Sequence, residues 1–146
     1  MKEMIYQTTR LNPPIVLDSG EYNGYNYYVL NLGTHPCGYV EIPSESQYFN
    51  VDYDNIPIEC HGGLTYGRGF LHTVADVEDN RYFIGWDYAH YGDFVGYRLG
   101  GFEEITGFYD AKYTTEDVVR ECKNVIDQLI ELSTSEQEKI NGIYYR

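Results

Sequence analysis

Val118, Cys122, Val125, Leu129 and Leu132 recur at spacings of three and four, and Val119, Ile126 and Ile130 widen the same stripe. That pattern puts one broad apolar face on an α-helix, and such a face has to be buried. Thr114 stands at the N-cap position with Asp117 three residues on, in the manner of a capping box. Glu116 and Asp117 place negative charge in the first turn, where the helix dipole favours it. The spacing predicts a helix over about 115–132. Ahead of it the apolar runs are short and rich in aromatic and β-branched residues. Several strands followed by one strong helix predict an α+β domain: an antiparallel β-sheet with one main helix of the C-terminal half packed on one face.

The 146 residues fit a single domain, 1–146. Ile15-Val16-Leu17 is expected to form a short strand after Pro13-Pro14. Residues 22–32 alternate aromatic and polar side chains around Gly24 and read as one strand. Gly33-Thr34-His35-Pro36 reads as a turn, and residues 37–42 as the returning strand. A polar loop follows to Pro57. Two further strands are expected over 62–67 and 81–88, joined by a connection long enough to carry its own structure or cover a pocket. Residues 91–112 read as loop. The tail from Ser133 is expected to form a short second helix over 135–146 or an oligomer contact.

No run of roughly eighteen apolar residues is present, so no membrane span is expected. The N-terminus has no apolar core of a secretory leader. Cys37, Cys60 and Cys122 are an odd number of cysteines without CxxC spacing, which fits reduced thiols in a cytosol. A formal net charge of −13 argues against binding duplex nucleic acid or an anionic membrane, both of which need clustered Lys and Arg. A small anionic ligand in a local pocket stays compatible with it. Seventeen tyrosines supply flat area with a polar tip, suited both to pockets and to filling a β-rich fold.

Chemistry-bearing residues gather between 59 and 93. If 62–67 and 81–88 are antiparallel partners, the start of one lies beside the end of the other. His61, Asp87, His90 and Asp93 then converge, with Gly62, Gly63 and Gly92 allowing close backbone approach. Their spacing, with His35-x-Cys37 and Cys60-His61, matches no established zinc pattern, so no metal is expected. His61 and His90 suit an acid–base pair, with Asp87 or Asp93 orienting a ring. Each cysteine reads as a small apolar residue rather than a nucleophile. Gly62 and Gly63 present backbone N–H groups of the kind that hold anions. Thr65, Tyr66, Trp86, Tyr88 and Tyr91 offer hydroxyls and flat faces, and Arg68, Arg81 or Arg98 is positioned in sequence to pair with a phosphate. Strand alternation puts Trp86 and Tyr88 on one face and Asp87 on the other. His72 reads as a loop residue. Neither a P-loop nor a Rossmann glycine pattern occurs in a strand–turn–helix setting, so no cofactor is expected.

The blocks running 35–43, 61–66 (HGGLTY), 84–93 (IGWDYAHYGD), 113–118 and 125–129 resemble a family of small phage and prophage proteins, over about residues 35–132. Members often carry a further histidine in the loop after the Ile-Pro, whereas Pro43-Ser44-Glu45-Ser46-Gln47 has none. The resemblance implies work in the bacterial host cytosol as a counter-defence factor. Such a factor binds and sequesters a nucleotide second messenger, of the cyclic ADP-ribose or cyclic dinucleotide type, without turning it over. On this reading His35, His61, Gly62, Gly63, Thr65, Tyr66, Asp87, His90 and Asp93 form the polar wall. Trp86 stacks on a base, and a homo-oligomer helps enclose the ligand. The alternatives are a phosphodiesterase with His61 and His90 as acid and base, aided by Asp87 and Asp93, and an acidic inhibitor of a host protein.

Overall fold

The first two strands form a hairpin. A computed structural model describes residues 5–76, 80–90, 92–96 and 111–144, of which 135–144 are described as backbone only. Strands β1 (Ile15–Tyr22) and β2 (Tyr25–Asn31) pair antiparallel with Tyr22 opposite Tyr25. The two residues between them, Asn23 and Gly24, have φ of 50° and 86°. This is the left-handed pair a two-residue hairpin turn requires, and Asn-Gly is its preferred sequence. The single strand expected over 22–32 is therefore β2 alone, with Gly24 in the turn.

β3 (Pro36–Glu41) returns beside β2, β5 (Phe83–Asp87) pairs with β3, and β4 (Tyr66–Arg68) closes the edge on β5. The five strands lie in the order β1-β2-β3-β5-β4, and every pairing is antiparallel. β4 is shorter than the expected 62–67. Gly62 and Gly63 take φ of 69° and 81°, which turns the chain out of extended conformation before the ladder begins. A three-residue 3₁₀ turn, Tyr53–Asn55, lies in the polar loop.

Helix α1 (Thr115–Tyr144) starts as its cap dictates. Thr114 N–H donates to Asp117 Oδ2 at 2.9 Å, and Asp117 N–H donates back to Thr114 Oγ1 at 3.2 Å. It then continues to Tyr144 without a break, so the separate tail helix over 135–146 is replaced by one continuous helix. Ser133-Thr134-Ser135 is polar but holds neither Pro nor Gly, and a helix once formed propagates through such residues at small cost. No described helix is long and apolar enough to cross a membrane.

The two faces of the sheet are covered differently. Val118, Cys122, Val125, Ile126 and Leu129 of α1 pack on Val29, Val40, Ile84 and Trp86. The other face buries Leu30, Leu32, Cys37, Tyr39 and Phe83 under Leu71. The long connection after β4 therefore serves as a cover, through Leu71 and its neighbours Val74 and Ala75. Two cross-strand pairs fit rings into this sandwich. Gly38 lies opposite Trp86 and Gly85 opposite Tyr39, and a Cβ on either glycine would stand 2.5 or 2.3 Å from the facing ring.

Candidate functional site

The register collects the polar residues at one end of the sheet. Cys37 pairs with Asp87, so His35, just before β3, lies at the end where β5 finishes. Thr65, just before β4, comes to the same end, its N–H bonded to Gly85 O at 2.9 Å. Beyond β5, Asp93 N–H donates to His90 O at 2.9 Å.

Two histidine–carboxylate pairs result, one on each side of the sheet end. On the α1 side, His61 Nε2 lies 2.9 and 2.8 Å from the two oxygens of Asp93. Asp93 is 3 % exposed, and its Oδ2 also accepts the His90 N–H at 3.0 Å. An ionised carboxylate only accepts, so Nε2 carries a proton, and in the neutral ring Nδ1 then carries the lone pair. Among the described residues, Nδ1 has no hydrogen-bond partner. The His61 ring stacks on Tyr88 at 4.4 Å and meets Tyr113 edge-on at 4.9 Å. Its loop is gripped by α1: His61 N–H donates to Glu121 Oε2 at 2.8 Å, and Gln128 bonds both the N–H and the C=O of Glu59.

On the other side, His90 Nε2 stands 3.2 Å from Asp87 Oδ1. It is shielded from solvent and makes no aligned hydrogen bond among the described residues. Asp87 instead accepts from Thr65 Oγ1 at 3.2 Å and Ala89 N–H at 3.1 Å. His35 bonds Thr34 Oγ1 at 2.9 Å, and burial holds its pKa below the ordinary histidine value. The two histidine rings, His61 and His90, are 6.2 Å apart.

The glycines serve this packing more than a ligand. Gly63 N–H is spent on Cys60 O at 2.9 Å, so it does not face an anion. Gly62 lies against the His90 ring, where a Cβ would come within 2.3 Å of Cδ2 and Nε2, at a φ of 69°. Gly62→Ala should therefore displace the His90 ring from Asp87 and destabilise the fold by about 1–3 kcal/mol, from the left-handed backbone and the clash together. Urea denaturation and the His90 ring shifts in NMR spectra check this; an unmoved His90 resonance would contradict it.

A cavity of about 460 Å³ opens beside His61, lined by Tyr88, Lys112, Tyr113, Arg120, Glu121 and Asn124 among others. Its carboxylates are engaged: Asp117 with the cap and Arg120, Glu121 with His61 N–H and Asn124. Lys112 Nζ rests 4.4 Å from the Phe94 ring centroid and makes no ion pair among the described residues.

Several expected roles fall elsewhere. Trp86, expected to stack on a base, is 1 % exposed; its face is the one α1 covers, and its Nε1 donates to Tyr88 Oη at 3.1 Å. Tyr88 is buried with it, lines the cavity and stacks on the His61 ring. Tyr66 donates to Phe70 O at 2.5 Å on the opposite face. Arg81 is held bidentately by Glu41, and Arg68 sits over Phe70. Burial raises all three thiols, Cys37 and Cys60 to about 12, consistent with unreactive side chains. Tyr91 and Arg98 lie outside the described residues. No described group of three or more His, Cys, Asp or Glu side chains is arranged to hold a metal ion.

Sequence reasoning missed Lys112, Tyr113 and the polar flank of α1. Asp117, Glu121, Asn124 and Gln128 do repeat at spacings of four, three and four, a polar stripe beside the apolar one. No protein-family model, curated protein or solved structure matches the chain.

Proposed function

We propose that the protein binds a small phosphate-bearing nucleotide in the cavity beside His61 and withholds it from solution. The observation that carries this reading is the His61–Asp93 pair on the wall of a 460 Å³ cavity, a volume within the range of about 300–1,000 Å³ usual for small-molecule sites. Lys112 supplies positive charge there, Arg120 a guanidinium that already pairs with Asp117, Tyr113 a ring, and Asn124 an amide. The HGGLTY and GWDYAHYGD blocks, similar to those of small phage proteins, point to a signalling nucleotide of the host cytosol as the class of ligand. A homo-oligomer would enclose it further.

Hydrolysis is the second reading, favoured by one feature. Asp93 fixes His61 with Nδ1 as the acceptor, the arrangement a general base needs. A matching acid from His90 has less support, because His90 Nε2 is turned against Asp87 and shielded. This asymmetry makes retention the preferred reading.

Incubation of the protein with a panel of cyclic mono- and dinucleotides and cyclic ADP-ribose isomers, followed by filtration, heat release and chromatography, separates the two. Retention of one nucleotide and its release intact is the expected result, with His61→Ala weakening retention by about tenfold or more, as loss of a side chain that contacts the ligand does. A new product identifies the hydrolase. Passage of the whole panel unchanged defeats both.

A further inference from the structure

We infer that the face of the sheet away from α1 carries a second small-molecule site, which takes a compact apolar or aromatic carboxylate. A cavity of about 420 Å³ lies there, walled by Leu30, Leu32, Tyr39, Tyr66 and Leu71. It adjoins a smaller one of about 270 Å³ whose lining includes His35, Thr65 and Asp87. Arg10, Leu32, Tyr39 and Tyr66 border both, so an apolar chamber leads into a polar one past a guanidinium.

The walls are built, not incidental. The N-terminal segment is laid along the sheet by Gln7 N–H to Gly33 O at 2.6 Å and Leu11 N–H to Leu32 O at 2.8 Å. The opposite wall is a tight turn closed by reciprocal bonds between Leu71 and Ala75, at 2.9 and 2.7 Å. Thr73 Oγ1 donates to Pro14 O at 2.7 Å and ties the two walls together. A chamber fixed by backbone hydrogen bonds needs little ordering when a ligand enters.

Its chemistry selects the occupant. Water beside leucines and ring faces has few partners, so an apolar body gains by displacing it. Arg10 makes no ion pair among the described residues. Asp87 already accepts from Thr65 and Ala89. Burial keeps His35 below its ordinary pKa, which leaves the ring neutral at pH 7. Arg10 is thus the permanent positive charge at the junction, and its planar fork matches a carboxylate. The protein as a whole is strongly acidic, so an anion is drawn here by Arg10 and not by the global field.

This site lies across the sheet from the His61 cavity and stands or falls independently of it. Amide NMR titration of the full chain with phenylacetate, and with the neutral isostere 2-phenylethanol, tests it. Phenylacetate should shift Leu32, Tyr66 and Leu71 saturably, leave Glu121 and Asn124 in place, and bind about tenfold more tightly than the alcohol. Arg10→Gln should abolish that difference and Arg10→Lys restore part of it; Arg10 is exposed, so both variants should fold. His61→Ala should leave the titration unchanged. Absence of saturable shifts at millimolar probe, shifts confined to the His61 cavity, or equal phenylacetate affinity in Arg10→Gln would overturn the assignment.

Discussion

Trp86→Ala should lower stability by about 3–5 kcal/mol, the cost of removing a large buried aromatic side chain. Three observations set that magnitude. The ring is almost wholly buried and packs in the cluster that holds α1 on the sheet. It fills the space over Gly38, which has no side chain to move into the void. Its Nε1–H is a partner of Tyr88 Oη, inside the fold. Typical domains are stable by about 5–15 kcal/mol, so the variant is expected to sit near its unfolding midpoint or beyond it. Trp86→Phe keeps most of the volume and should cost about 1–2 kcal/mol, chiefly for the lost hydrogen bond. Trp86 is the sole tryptophan, so the measurement must be urea denaturation followed by circular dichroism rather than by intrinsic tryptophan emission. Had this ring been a platform for a ligand base, Ala would be tolerated by the fold and ligand affinity alone would fall. A loss below about 1 kcal/mol is the outcome that sinks the core assignment.

Strand alternation already placed Trp86 and Tyr88 together with Asp87 opposite, and the structure keeps that division. What alternation does not contain is which of two faces the helix will cover, because both are apolar: Cys37, Tyr39 and Phe83 compete with Val40, Ile84 and Trp86. The class of the fold was legible because the helix stripe and its cap are local. The end of the helix was not, because a polar Ser-Thr-Ser stretch reads as a boundary although it terminates nothing. Asn23-Gly24 did carry a turn signal, overridden by the alternation on either side of it. For the candidate site, antiparallel pairing was enough to bring His61, Asp87, His90 and Asp93 to one end; the β3–β5 register adds His35. Their division into His61–Asp93 and His90–Asp87 depends on the 59–63 turn crossing to the α1 side, where Glu121 and Gln128 grip it. That contact spans some sixty residues of sequence and leaves no short-range trace. Arg10 and Lys112 had no local signal at all, since a lone cation in a loop is ordinarily solvated.

Asp93→Asn should invert the tautomer of His61 while leaving the fold intact. In the native protein both carboxylate oxygens face Nε2, so the proton resides there. The amide has nearly the same volume. Its oxygen can keep the His90 N–H bond in the place of Oδ2, which puts its NH₂ in the place of Oδ1, 2.9 Å from Nε2, where N–H would face N–H unless the neutral ring accepts at Nε2. The proton then moves to Nδ1, and the lone pair that faced away from Asp93 is lost. Two-bond ¹H–¹⁵N spectra of the imidazole distinguish the two forms without any ligand. Stability should fall by only about 1–2 kcal/mol, a charged hydrogen bond exchanged for a neutral one. Asp93→Ala should cost more, because the His90 N–H and the His61 Nε2–H both lose their acceptor in a shielded place. The functional consequence separates the two readings of the cavity. If His61 acts as a base, Asp93→Asn should reduce turnover by about 10²–10⁴ with affinity nearly kept. If it only holds the ligand, retention should weaken by about tenfold and no product should form in either protein. Retention of the Nε2–H tautomer together with unchanged ligand behaviour would remove the His61–Asp93 pair from the function altogether, and with it the reason for placing the site on the α1 side of the sheet.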